Sequence, residues 1–163
     1  MSILPDVIAA DLDIVFCGTA AGAESARRRA YYAGPGNAFW RVLYAVELTP
    51  RRLEPEEYAH LLQWRLGLTD LAKEISGNDV VLSKAHFDTA RLRGLLARYR
   101  PRILAFTGKR AAREFLGGEV TYGLMTRRVA GTRVFVLPSP SGAACRYWDE
   151  APWRELARLR SHL

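Results

Sequence analysis

Two short apolar runs, each stopping abruptly at a cluster of small residues, constrain this chain more than any other feature. Ile14–Cys17 runs into Gly18, Thr19, Ala20, Ala21 and Gly22, and Val134–Leu137 runs into Pro138, Ser139, Pro140, Ser141 and Gly142. Apolar runs this short, bounded by turn residues, suit strands buried on both faces. In an open parallel sheet, ligands bind beyond the carboxyl ends of the strands. Two such ends meeting in space would wall a pocket with backbone and small side chains, and the rest of the chain is expected to surround it.

The intervening sequence alternates between strand and helix patterns. Asp13–Gly18, Leu66–Leu71, Arg102–Thr107 and Arg133–Leu137 read as strands, and Val120–Arg128 as an edge strand. Asn37 can cap a helix in which Phe39, Trp40, Leu43 and Tyr44 recur at helical spacing. Pro55–Trp64, Phe87–Tyr99, Lys109–Phe115 and Glu150–Leu163 also read as helices. In Phe87–Tyr99, Leu92, Leu95 and Leu96 point inward and the arginines outward. Met1–Asp11 reads as a lead-in, Ala20–Asn37 as a long loop, and Lys73–His86 as a polar connection. The alternation predicts an α/β fold, a three-layer α/β/α sandwich with a mainly parallel central sheet. At 163 residues, the whole span 1–163 is expected to be one domain.

Hydrophobic content of 49% with 25% charged residues is that of a soluble globular protein. Asp6, Asp11 and Asp13 interrupt the apolar N-terminus, so no signal peptide is expected, and no apolar run approaches a membrane span. The expected location is the cytoplasm, in a bacterial, nucleoid-associated role with no membrane partner. Cys17 and Cys145 make no disulfide framework, and with His60, His86 and His162 they give no metal-ligand spacing. No metal and no cofactor are expected. The net charge of +7 favours a polyanion, nucleic acid first. Arg27, Arg28 and Arg29 stand just before Tyr31 and Tyr32. That interleaving suits a nucleic-acid strand, with arginines on phosphates and rings on bases. It equally suits a solvated charge run beside two packing tyrosines.

No phosphate loop, dinucleotide glycine spacing, nucleophile elbow or zinc motif is present. Four segments in order instead carry a resemblance: VFCGTAAG, YYAGPGNAFWRVL, GLTDL and LPSPSGAACR. Together they resemble the uracil-DNA glycosylase superfamily from Ile14 to the last helix, and are most similar to its mismatch-specific branch, which removes uracil and in some members thymine from mispairs with guanine. An enzyme acting on a base must extrude it from the duplex into a pocket. The resemblance makes Tyr32 the ring under the flipped base, where the mismatch-specific enzymes carry phenylalanine. It puts backbone near Thr19, Ala20 and Tyr32 on the pyrimidine edge, and Ser139 beside the leaving base. Ser141 and Gly142 would hold a phosphate, with Lys109 as a second phosphate ligand. Ala143 and Arg146 belong to the loop that enters the duplex, and Arg146 is the favoured wedge.

The departure from the family pattern is catalytic. Ala20 stands where the closest relatives carry the asparagine that positions the attacking water. A positioned base contributes about 10²–10⁴ in rate. Asp70 and Asn37 are the expected replacements, with Thr19 and Glu24 behind them; anionic uracil could also leave through backbone N–H stabilisation alone. The resemblance implies a monofunctional DNA glycosylase of base excision repair, acting as a monomer on uracil-containing or mismatched double-stranded DNA, with single-stranded DNA a further candidate. Hypoxanthine, xanthine or thymine are alternative bases. A weakly active or inactive mismatch or abasic-site binder is the alternative from a different class, and a basic α/β protein with no DNA role the plainest one.

Overall fold

The structure is a computed structural model that describes residues 2–77 and 82–163. The sheet is built of β1 (Ile14–Ala21), β2 (Leu66–Ser76), β3 (Ile103–Phe106), β4 (Gly123–Val129) and β5 (Thr132–Val136). The strand order is β2-β1-β3-β5-β4, with β4 alone antiparallel to its neighbour. The expected mainly parallel sheet is therefore what forms. The helices are α1 (Ala23–Arg28), α2 (Phe39–Ala45), α3 (Thr89–Tyr99), α4 (Lys109–Leu116) and α5 (Ala151–Arg160). Pro55–Trp64, Lys84–His86 and Gly142–Tyr147 are 3-10 helices.

Strand alternation sorts the core into two layers. Ile14 and Phe16 face α2 and α5 through Phe39, Trp153 and Leu156, while Val15 and Cys17 face α3 and α4 through Leu92, Leu96 and Phe115. All of these side chains are buried, so β1 has a packed layer on each face. Tyr44 is the exception to the expected inner face of α2, since it is half exposed.

The structure corrects three boundaries near the site. First, β1 does not end at Gly18: it pairs with β2 through Ala20, opposite Ala72, before a bulge at Ala21. Second, the expected loop 20–37 contains α1, which ends on Arg29 in the left-handed region. Small side chains gave this segment no apolar stripe to read. Third, β2 runs on to Ser76, where a polar connection is expected; 78–81 of that connection lie outside the described residues. The lead-in is also structured. Val7 forms an antiparallel bridge with Leu68, Leu4 and Val7 are buried, and Ile3 donates its N–H to the Lys73 carbonyl.

Candidate active site

Sheet register builds the site. Gly18 is paired with Asp70, and in the row just before that pair Thr69, Cys17, Phe106 and Val136 lie in register. Thr107 and Leu137 extend the row, donating their N–H groups to the Cys17 and Phe106 carbonyls. The carboxyl ends of β1, β3 and β5 therefore adjoin, and the middle of β2 lies beside them.

Three groups converge on Gly18. A Cβ added there would lie 2.9 Å from Asp70 Oδ1, 3.3 Å from Thr107 Oγ1 and 3.4 Å from the Tyr32 hydroxyl. Only glycine lets a carboxylate, a hydroxyl and a phenol share that volume. Tyr32 reaches it from a left-handed backbone, φ 53°, which a bulky residue adopts only when its surroundings impose it. Its hydroxyl hydrogen-bonds Thr107 Oγ1 at 2.9 Å, and its ring stacks on Phe39 with centroids 3.9 Å apart and planes 18° apart. Burial, then the nearby Asp70 carboxyl, push the phenol well above its ordinary value, so it stays neutral.

Asp70 is the chemically distinctive group. It is 4% exposed, and burial raises its carboxyl from the ordinary 3.8 to about 7. Lys73 and Arg91 oppose that rise, Asp6 adds to it, and the Gly18 N–H bonds the carboxylate. A buried carboxyl that titrates near neutrality is suited to proton transfer at physiological pH.

Other expected site residues divide into two groups. The second motif loop docks on the loop before α2: Ala38 donates to the Pro140 carbonyl at 2.8 Å, and a Cβ on Gly142 would lie 2.5 Å from the Pro35 carbonyl. Ser139 abuts Gly108, and its hydroxyl accepts from the Ser141 N–H. Ser141 in turn accepts from the Ala143 N–H. Ala143 and Arg146 are exposed on the 3-10 helix, and Lys109 opens α4 with its ammonium 4.4 Å from the Tyr122 ring centre. Thr19 and Ala20 are part-buried at the end of β1. Asn37 stands differently: the N-cap of α2 is Ala38, with no side-chain cap, so the expected cap by Asn37 does not form, and its Oδ1 instead accepts from the Phe39 N–H two residues on, closing the turn that enters the helix. Glu24 is bound to Arg27.

In the Arg–Tyr run, one ring is in the core and two arginines have carboxylate partners. Tyr31 is a core residue, 2% exposed. Arg27 pairs with Glu24, and Arg28 is bidentate to Glu56 at 2.8 Å. The sequence reading missed Thr107, Asp6, Lys73 and Arg91. Thr107 was detectable as the residue after an apolar strand; the other three gave no local signal.

Two open cavities lie elsewhere. One, about 710 Å³, is formed by Ala45–Leu48 and α5; the other, about 330 Å³, lies near Ser2, Lys73 and Arg91. Neither is lined by Gly18, Tyr32 or Asp70. The converged polar groups identify the site better than open volume does, because a displaced-pKa carboxyl needs burial. Among the described residues, no group of three or more His, Cys, Asp or Glu is placed to hold a metal ion.

The solution NMR structure of a candidate uracil DNA glycosylase from Methanosarcina acetivorans is similar to this fold. It matches with a TM-score of 0.71 and 28% identity, over 98% of this chain and 97% of the other. The model of the uracil DNA glycosylase superfamily matches residues 5–160, which include every site element described above. The chain belongs to the uracil-DNA glycosylase superfamily.

Proposed function

We propose that this protein is a monofunctional DNA glycosylase, nearest the mismatch-specific branch, that hydrolyses the bond between uracil and deoxyribose. The observation that carries the reading is the convergence of Asp70, Thr107 and Tyr32 on Gly18, at adjoining strands of the sheet. Family membership supports DNA as the partner, and the net charge of +7 agrees with it.

In this reading the flipped base lies on the Tyr32 face turned away from Phe39. Stacking of that kind is worth roughly 1–3 kcal/mol per base. The Asp70 carboxylate takes the place of the missing asparagine, orienting water toward the sugar carbon and accepting its proton as the C–N bond breaks. Uracil leaves as an anion, stabilised by backbone N–H groups at the end of β1. Asn37 contributes by shaping the loop, since its oxygen is committed to α2. Ser141, Gly142 and Lys109 hold phosphates, and Arg146 fills the space the base leaves. Lys73, held by Asp6 and Tyr31, favours hydrolysis by water over an amine-linked intermediate.

The test is purified protein with oligonucleotides carrying uracil in single strands, U:G pairs and U:A pairs, followed by alkali. Strand scission at uracil is expected, strongest for U:G. No scission on any of the three would overturn the enzymatic reading. Tight binding to an abasic site without turnover would instead favour the binding-protein alternative, which Ala20 keeps in view.

A further inference from the structure

A charged cluster borders Asp70, and the chemistry above gives it no part in positioning the carboxyl. Asp6, on the N-terminal segment, accepts on Oδ1 from the Thr69 hydroxyl at 2.6 Å and on Oδ2 from Arg91 Nη1 at 2.6 Å, with Lys73 Nζ 3.1 Å from Oδ1. Arg91 Nη2 donates both to the Thr69 hydroxyl at 2.9 Å and to the Asp70 carbonyl at 2.8 Å. Lys73 donates to the Tyr31 hydroxyl at 3.0 Å, and that hydroxyl donates to the Pro5 carbonyl at 2.9 Å. Tyr31 immediately precedes the stacking ring of Tyr32.

Burying an ammonium is expensive, and an apolar residue of similar volume would serve packing as well or better. The Lys73 side chain is only 7% exposed. The contacts also have a direction: two cations meet one carboxylate, leaving one positive charge in excess beside the Asp70 backbone. Asp70, when ionised, balances it.

We propose that Asp6, Lys73 and Arg91 form a positioning cluster that fixes the Thr69–Asp70 segment of β2 and supplies the field in which the Asp70 carboxyl works. The proposal rests on the reading of Asp70 as the water-handling group. Arg91 does the fixing, through one carbonyl and one hydroxyl. Lys73 and Arg91 draw the buried carboxyl toward its ionised form, and Asp6 opposes them. Burial alone would raise Asp6 too, but Thr69, Lys73 and Arg91 hold it below its ordinary value, so it remains an anion. The other titratable groups facing Asp70 are Cys17 on β1 and Tyr31 and Tyr32 on the loop after α1. Burial raises all three, and they stay neutral near pH 7.

The deciding experiment is a ¹³C NMR titration of the Asp70 carboxyl, assigned by its loss in Asp70→Asn, in wild type, Lys73→Met and Asp6→Asn. The midpoint is expected to rise in Lys73→Met and fall in Asp6→Asn, each by roughly half a unit to one unit. Arg91→Lys, which keeps the charge, is expected to leave it close to wild type while lowering single-turnover excision. Midpoints that coincide in wild type, Lys73→Met and Asp6→Asn would overturn the proposal. Should Lys73→Met not fold, the isosteric Asp6→Asn carries the same decision. The titration needs no activity. Full excision by Asp70→Asn would therefore sink the catalytic assignment separately, while the midpoints still decide what the cluster does to the carboxyl.

Discussion

The β1–β2 wall and the Ser139–Arg146 loop adjoin in space but are built differently. On the wall, Asp70, Thr107 and Tyr32 all crowd Gly18, Tyr32 bonds Thr107, and an ion cluster grips the backbone from outside. On the loop, side-chain hydroxyls bond their own backbone two residues on, and Ala143, Cys145 and Arg146 face solvent. The first arrangement fixes polar groups in a buried geometry; the second presents side chains to solvent. Bond cleavage needs preorganised polar groups, whereas contacts to a nucleic-acid backbone serve to position the partner. Substitutions on the wall should therefore damage chemistry, and those on the loop should damage affinity.

The comparison is sharpest where chemistry and stability move in opposite directions. The folded state holds the Asp70 proton more tightly than the unfolded chain does, with midpoints of about 7 and 3.8. Its contribution to stability is therefore full below pH 3.8 and is lost as pH rises toward 7. Asp70→Asn removes that loss, so above pH 7 it is expected to be more stable than wild type, by up to about 4 kcal/mol. Near pH 4 the two should melt alike. Thermal melts at both pH values check this, and equal melting above pH 7 would contradict the burial of an ionised carboxylate.

Gly18→Ala comes next. The new Cβ, 2.9 Å from Asp70 Oδ1, must displace the carboxylate. Misplacement of a reacting group by about an ångström costs on the order of 100-fold, so single-turnover excision should fall by about that factor while DNA binding holds. Arg146→Ala should do the reverse. Excision at saturating protein should stay within a few-fold of wild type, while the salt dependence of binding loses about one charge from its slope. Tyr32→Phe is the mildest change. It keeps the ring on Phe39 and removes the bond to Thr107, at about 1 kcal/mol of stability.

Much of the fold was legible because β1, β3 and β5 are short apolar runs with abrupt ends, and each formed within a few residues of its expected bounds. Helix α1 was not, since AESARR carries no apolar stripe and is held by a distant pair, Arg28 with Glu56. The tail of β2 was not either: its polar residues Lys73 and Glu74 look like loop, and the strand there is completed by the N-terminal segment. Within the site, Asp70 stood out because it ends the apolar GLTDL run, and Tyr32 because the family resemblance of YYAGPGNAFWRVL places a ring there. Asp6 and Arg91 meet across 85 positions, and such a contact leaves no periodicity to read. Arg91, expected on the outer face of its helix, turns in because Asp6 and the Thr69–Asp70 backbone offer it partners.

The central claim is that a buried carboxyl on β2 does the work of the absent asparagine. Single-turnover excision of uracil from a U:G duplex by wild type and Asp70→Asn, followed from pH 5 to pH 9, tests it most directly. Wild type should lose rate as pH falls through about 7, where the carboxyl takes its proton. Asp70→Asn should be slower by about 10²–10⁴ at pH 8 and lack that dependence. An Asp70→Asn protein that keeps the wild-type rate and the same acid limb would contradict the account.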